Sequence, residues 1–302
     1  CASGNSKTPL ADAIICKTVG VKITPAGAVP GFDPTALGGL LDLFYRSCRP
    51  PAMGAVDVYW KSIVVRAADL DNDRGTRLLR QQSAELGVHL ANEQLGQFRT
   101  YYDELTDWNS RVNLTRVTEW NEVVTRHYLD SLSARLALPR EMIEGGRFID
   151  IGSGAGLPGV PLKIAFPGLR ATLVEATRKK AAFLEHLVAR LGLQDVEVRT
   201  GRAETLGHEA GLREGFDFVL ARAVSGMAAL AELTLPFCRL GGRVIAYKTR
   251  GAEAEIRGAA MAISANGGEL VEVIEVALPD LGDERRLVVL DKVAGTPERY
   301  PR

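Results

Sequence analysis

The order of apolar runs from residue 147 onward constrains this chain most. Short runs suited to buried strands stand at Arg147 to Asp150, Ala171 to Val174, Val196 to Arg199, Phe216 to Leu220 and Gly242 to Tyr247. Amphipathic stretches at 177–191, 226–238 and 251–266 separate several of them and predict helices. Strand–helix alternation builds a parallel, doubly wound sheet, because parallel neighbours need a crossover connection. The last two runs, Leu270 to Ala277 and Arg286 to Val293, follow one another with no helix between. They predict an antiparallel pair at the edge of the sheet. The expected class is therefore α/β and Rossmann-like: seven mostly parallel strands with an antiparallel last strand.

The chain before residue 147 has a different texture. Leu95, Phe98, Tyr101, Tyr102, Leu105, Trp108 and Val112 recur at spacings of three and four, which predicts an amphipathic helix over 91–112. Asn113-Leu114-Thr115 breaks it. Thr118 and Glu119 then start a second helix with Trp120, Val123, Val124, Leu129 and Leu132 on its apolar positions. The chain divides in three: 1–73 as an extension of weak order, 74–140 as a helical N-terminal cap, and 141–302 as the sheet domain. The first division lacks periodicity and begins at Cys1. It is consistent with a translation start placed upstream of the true one, with Met53 a candidate.

Composition excludes several classes. The 302 residues carry 37 Lys+Arg against 37 Asp+Glu, so the chain lacks the overall basic tilt of a histone-like nucleic-acid binder. The uncharged run from Ile151 to Leu162 is too short and too rich in Gly and Pro to span a bilayer. Four cysteines (Cys1, Cys16, Cys48, Cys238) show no CxxC or metal-ligand spacing, so no metal is expected and a reducing cytoplasm is. Neutrality is nonetheless a sum of patches. Arg239, Arg243, Lys248 and Arg250 occur with no acidic residue from 233 to 252, which predicts a local basic surface.

The chemistry begins at Asp150-Ile-Gly152-Ser-Gly154-Ala-Gly156-Leu157-Pro-Gly159, a glycine-rich turn between a strand and a helix. Glycines there let the backbone turn tightly and approach a ligand. Asp150 ends the first strand, where its carboxylate orders the loop or reaches a cationic ligand. Glu175 ends the second, where a carboxylate accepts both ribose hydroxyls. Ala203-Glu204 follows the third, at the edge of an adenine ring. NAD(P) needs a phosphate-facing turn and a second domain for the substrate. S-adenosylmethionine carries no phosphate, and the closing strand pair suits it better. An NAD(P)-dependent oxidoreductase stays open as the alternative at this point, as does a non-catalytic RNA-binding module.

The residues after strand four normally choose the methyl acceptor. Ala221-Arg222-Ala223 is not the Asp/Asn-Pro-Pro-aromatic loop of exocyclic amino methylases. Cys238, at an apolar helical position, is expected in the core and not as a pyrimidine C5 nucleophile. Guanine N7 needs neither device, since its lone pair is exposed and no proton leaves before attack. Positioning alone can then carry catalysis.

Several segments together carry a family resemblance. They are Trp108-Asn109 with Asn113-Leu114-Thr115, Arg126-His127-Tyr-Leu-Asp130-Ser131, the Asp150–Gly159 turn, Arg222-Ala223, Tyr247-Lys248, and Pro279 through Glu284-Arg285-Arg286-Leu-Val-Val. In order and spacing, over about residues 77–294, the chain resembles the RsmG (GidB) family of 16S ribosomal RNA guanine-527 N7 methyltransferases. The resemblance implies a class I S-adenosylmethionine-dependent methyltransferase acting on 16S rRNA or the small ribosomal subunit, cytoplasmic, with no membrane partner and expected to be a monomer. It implies cofactor contacts at Gly152, Leu157, Ala203, Glu204 and Arg222, with Asp150, Gly154, Gly156 and Glu175 completing the expected cofactor site. It implies that Asn113, Arg126, His127 and Asp130 line the pocket, with Lys248 from strand five. Arg126, His127, Lys248 and Arg222 are the expected catalytic set. Asn113, the Arg178-Lys179-Lys180 run and Arg285 are expected to face RNA. Ala221, Arg286 and Thr249-Arg250 depart from the residues usual in the family at those places.

Overall fold

The computed structural model describes residues 73–249, 251–277 and 285–302. The expectations for the extension and its three cysteines, for Met53, for Arg250 and for Pro279 to Glu284 lie outside the described residues.

Among the described residues one sheet has the order β3-β2-β1-β4-β5-β7-β6. Its strands are β1 Arg147–Ile151, β2 Arg170–Glu175, β3 Val196–Thr200, β4 Phe216–Arg222, β5 Cys238–Thr249, β6 Gly268–Val276 and β7 Arg285–Lys292. Strands one to five pair in parallel. β7 runs antiparallel between β5 and β6. The period-2 pattern of the strands divides the core between the two faces of the sheet. Phe148, Leu173, Phe218, Leu220, Ile245, Leu287 and Val289 pack on one face. Ile149, Ile151, Val174, Val219, Ala221, Val244, Val288 and Leu290 pack on the other.

The helical lead-in shares the first of these cores. Helix α1 spans Arg74–Glu85 and α2 spans Asn92–Val112, close to its predicted bounds. Helix α2 buries Leu95, Phe98, Tyr101 and Leu105. Its polar side chains close the open ends of two sheet helices, α3 Gly159–Ala165 and α4 Arg178–Leu191. Gln94 donates to the carbonyls of Ile164 and Ala165 (2.7 and 3.0 Å), and Gln97 to that of Leu191 (2.9 Å). Trp108 packs against Phe183, their rings tilted, so the C-terminal end of α2 lies against the N-terminal part of α4.

Three expectations change. The second lead-in helix is α-helical only over Trp120–Val123, π-helical over Val124–Leu129, and α-helical again over Asp130–Leu132. Glu119 does cap its start, accepting from Glu122 N at 3.1 Å. The helix expected over 226–238 is α5 Met227–Thr234, and a 3-10 turn with Pro236 then ends it, since proline cannot donate to a continuing helix. Cys238 is accordingly the first residue of β5, not a helical residue, and it is buried there. The helix expected over 251–266 is broken at Ala259 into α6 Glu253–Gly258 and α7 Ala260–Ala265.

Candidate active site

The order reversal between β1 and β4 opens a crevice at the carboxyl ends of the strands, where doubly wound sheets bind ligands. The glycine-rich turn enters it from β1. Gly152 N and Ser153 N both donate to Val174 O at 2.9 Å, tying the turn to β2. Gly154 N donates to Glu175 Oε2 at 3.0 Å, and Thr177 N to Oε1 at 2.7 Å. Gly156 N and Leu157 N donate to Ser153 O, and Gly159 N donates to Asp150 Oδ2 at 3.0 Å. The turn therefore spends its amides inside the protein. A phosphate-binding turn instead presents free amides to the anion.

Asp150 is wholly buried beneath the turn. Burial pushes its carboxyl up to about 7, against the pull of Gly159 N, Ser153 and Arg222. Its place is that of a loop organiser, and its side chain does not reach the crevice. Glu175 is also buried, with both oxygens already engaged by one amide each and lone pairs left for further donors. Gly154 has φ +57°, and a Cβ there would meet only Gly152 O at 3.8 Å, so the space in front of it is open. Gly156 differs. A Cβ there would strike Val160 at 2.8 Å and the Tyr101 hydroxyl at 2.9 Å, so this glycine permits packing against the lead-in. Tyr101 in turn donates to Ala155 O at 2.5 Å. Leu157 and Ala203 are buried, and Glu204 is half-buried in the short helix Ala203–Leu206.

The opposite wall is a cluster of charges. Arg222, expected just past β4, is instead its last residue. Arg222 Nη1 lies 3.0 Å from Asp130 Oδ2, and Arg285 Nε lies 3.3 Å from Asp130 Oδ1. Both contacts are ionic but off hydrogen-bond geometry. Burial pushes the Asp130 carboxyl up while the two guanidiniums pull it down. Arg222 Nη2 donates to His127 Nδ1 at 3.0 Å and to Arg126 O at 3.3 Å. His127 is buried, and burial together with Arg222 lowers it to about 4.

Several expected site residues sit differently. The Arg126 side chain is exposed and lies 3.9 Å from Glu122, one turn back; only its carbonyl reaches Arg222. Arg285 turns inward to Asp130, and its side chain is only 24% exposed, so it does not stand out toward solvent. Asn113 is exposed in the left-handed conformation after α2, and the polar work falls to Asn109. Asn109 Oδ1 accepts from Leu114 N and Thr115 N, and its Nδ2 donates to Thr115 O. Lys248 is engaged by Glu255 Oε1 at 2.6 Å and Ser225 O at 2.8 Å. Of the basic surface expected at 239–250, the three cations that are described each have an acidic partner. Arg239 pairs with Asp217 and Arg243 with Asp291, while Lys248 has Glu255. Arg178 and Lys179 are exposed at the start of α4, with Lys180 half-buried beside them. The Cys238 thiol is pushed up to about 12 by burial, which removes it as a nucleophile. Asn109, Thr115, Ser225 and Glu255 were not expected in roles. Asn109 and Thr115 stood within the resembling segments, but nothing in their spacing announced the contacts.

The strand order, the reversed β7 and the amide-satisfied turn define a class I S-adenosylmethionine-dependent methyltransferase. The residues present fit that cofactor: an open face at Gly154, acceptor capacity at Glu175 and no phosphate cradle in the turn. Residues 94–287 match the family GidB: rRNA small subunit methyltransferase G, and the chain belongs to it. It is 50% identical to ribosomal RNA small subunit methyltransferase G of Dehalococcoides mccartyi over 218 residues, covering 72% of this chain and 91% of that one. It is similarly 50% identical to the protein of that name from Roseiflexus castenholzii (216 residues, 72% and 91% covered). The one from Limosilactobacillus reuteri is 45% identical (224 residues, 74% and 93% covered). Family membership sets aside the oxidoreductase alternative.

Proposed function

We propose that the chain methylates N7 of a guanine in 16S ribosomal RNA, at position 527 by family resemblance, using S-adenosylmethionine. Glu175 would hold the ribose hydroxyls, the turn at Gly152, Gly154 and Leu157 would line the cofactor, and Ala203-Glu204 would meet its adenine. The bound cofactor supplies an electrophilic methyl group on a sulfonium. The chain's part is to bind, orient and exclude water.

One observation carries the choice of acceptor: the described residues around Arg222 present no free general base. His127 Nδ1 is occupied by Arg222, Asp130 faces two arginines, Lys248 is engaged by Glu255, and Asp150 is sealed under the turn. An acceptor that must lose a proton before attack would lack help here. N7 carries its lone pair already, so holding the ring in line suffices. Arg222 is the cation best placed to meet the ring's polar edge, with Asn113 and the Arg178-Lys179-Lys180 run for RNA phosphates. The contact of Trp108 in α2 with Phe183 in α4, near that run, supports a shared role for the two.

The proposal extends to the helical segment 74–140 as a cap on the sheet domain, to the small subunit or its RNA as substrate, to a monomer, and to the cytoplasm. No helix among the described residues is long and apolar enough to cross a membrane. The test is transfer of tritium from S-adenosylmethionine to small subunits lacking this methylation, with 7-methylguanosine mapped by borohydride/aniline cleavage. Label at a single guanine is expected. Unlabelled RNA, or label at an exocyclic amine, would overturn the reading.

A further inference from the structure

Arg222 is held from two sides. One is the carboxylate of Asp130, and the other is the imidazole of His127. The second contact bears on the tautomer. A guanidinium only donates, so a hydrogen bond from Arg222 Nη2 to His127 Nδ1, 3.0 Å away, needs a lone pair on Nδ1. Nδ1 also lies 3.0 Å from Arg126 O, a contact that asks for the proton on Nδ1 instead. Arg222 Nη2 reaches that carbonyl as well, at 3.3 Å, so one donor serves both acceptors when Nδ1 is bare. The ring proton is then on Nε2, facing Thr115 Oγ1 at 2.7 Å. Thr115 Oγ1 accepts from Val117 N as well, and Asn109 pins its backbone on both sides. A continuous chain thus runs from the end of α2 through the Asn113–Thr115 loop and the π-helical turn to the end of β4.

We propose that His127 is a positioning residue: its unprotonated Nδ1 sets the orientation of the Arg222 guanidinium, and Thr115 sets the tautomer that leaves Nδ1 unprotonated. Given only Asp130, the guanidinium would swing in its plane to form the bidentate pair that arginine and carboxylate prefer. It would then turn away from the crevice. The observed contact stops short of that, since the Arg222–Asp130 approach is off hydrogen-bond geometry. The inference rests on the reading of Arg222 as the group that meets the methyl acceptor.

The charges facing the imidazole are Arg222 from β4, Arg285 from β7 and Arg126 on its own segment, with Asp130 between the first two. Together with burial the three arginines oppose an imidazolium. The decisive experiment is long-range proton–nitrogen correlation of the ring nitrogens from pH 8 to 5.5. The chain has four histidines, and the signal lost in His127→Asn assigns this one. A neutral Nε2–H ring across the whole range is expected, with a midpoint that rises into it in Arg222→Gln. A ring that titrates between pH 6 and 7 in the native chain, or an Nδ1–H tautomer, would overturn the proposal.

Turnover supplies the second readout. In His127→Asn the amide oxygen overlays Nδ1, so the acceptor for Arg222 survives and kcat falls only about threefold. In His127→Gln the amide overlays Nε2, the acceptor is lost, and kcat falls about thirtyfold with KM for the cofactor little changed. Equal losses for the two amides would also overturn it. Absence of any methyl transfer by the native chain would instead defeat the functional reading and leave the ring measurement standing.

Discussion

Strand β7 begins in one buried charge cluster and ends in another, and the two are built differently. Arg285, its first residue, meets Asp130 and Arg222 at the carboxyl edge of the sheet with contacts that miss hydrogen-bond geometry. Lys292, its last, lies at the amino edge, fully buried. Its ammonium donates to Leu235 O at 2.9 Å, to Asn266 O at 3.2 Å and to Thr296 Oγ1, and Glu214 stands 3.2 Å away. A buried charge with every donor used is scaffold. A buried group whose ionic contacts are left imperfect is held for something else, because imperfect satisfaction costs stability and persists only where it serves a site.

Substitutions at the two ends should separate these roles. The largest effect is expected from Arg222→Gln. Methyl transfer should fall about a thousandfold through loss of a preorganised cation, while stability drops by only about 1 kcal/mol because Arg285 still faces Asp130. Transfer assays beside a denaturant melt decide it, and a large loss of stability would make Arg222 scaffold after all. Lys292→Met is the mirror image. It leaves the Leu235 carbonyl without its donor and Glu214 without its cation, so unfolding should become easier by about 3 kcal/mol. Turnover per folded molecule at low temperature should stay at the native value. A selective loss of turnover would erase the contrast.

Asp150 belongs with the imperfect end. Its carboxyl is raised from 3.8 to about 7 by burial, so the folded chain holds a proton that the unfolded chain has already released at pH 5. Stability from this group is therefore fully present below pH 4 and is lost as pH rises through 7. By pH 8 the cost is on the order of 4 kcal/mol. Asp150→Asn keeps an acceptor for Gly159 N and cannot ionise. Its thermal midpoint relative to the native chain should rise between pH 5 and pH 8, and parallel pH curves for the two would refute the assignment. The smallest effect is expected at the rim. Lys179→Ala with Lys180→Ala should weaken RNA binding several-fold and reduce the slope of log affinity against log salt by about 1 for each phosphate no longer neutralised. A fall in cofactor affinity instead would move these lysines out of the RNA surface.

Periodicity and spacing reveal only local features, and it is the family resemblance that brings His127, Asp130 and Arg222 to one pocket. The strands, helix α2 and the turn declare themselves through periodicity and glycine spacing, and Glu175 through its place at the end of β2. The charge cluster did not, because its members arrive from separate elements: Asp130 from the lead-in, Arg222 from β4 and Arg285 from β7. Arg126 and Asp130 stand four apart in the sequence and were both expected in the pocket, yet across the π-helical turn the first is exposed and the second buried. The run 239–250 looked basic because its counter-charges, Asp217, Asp291 and Glu255, are far along the chain or beyond the run. Pro236 was visible in the sequence, but its power to end the helix before Cys238 depends on the turn it joins.

The π-helical turn at Val124–Leu129 makes the site sensitive to counting. Each residue of an α-helix advances the side-chain direction by about 100°. The wider turn holds one residue more than an α-helical turn, so within it each side chain advances by less than that. Loss of one residue ahead of Arg126 would let the segment close into ordinary α-helix: Asp130 would keep its direction toward its arginines, while His127 would turn relative to it. An in-frame loss of one codon there should therefore spare the Asp130 contacts and break the one between His127 and Arg222, which makes the length of the segment a heritable part of the site.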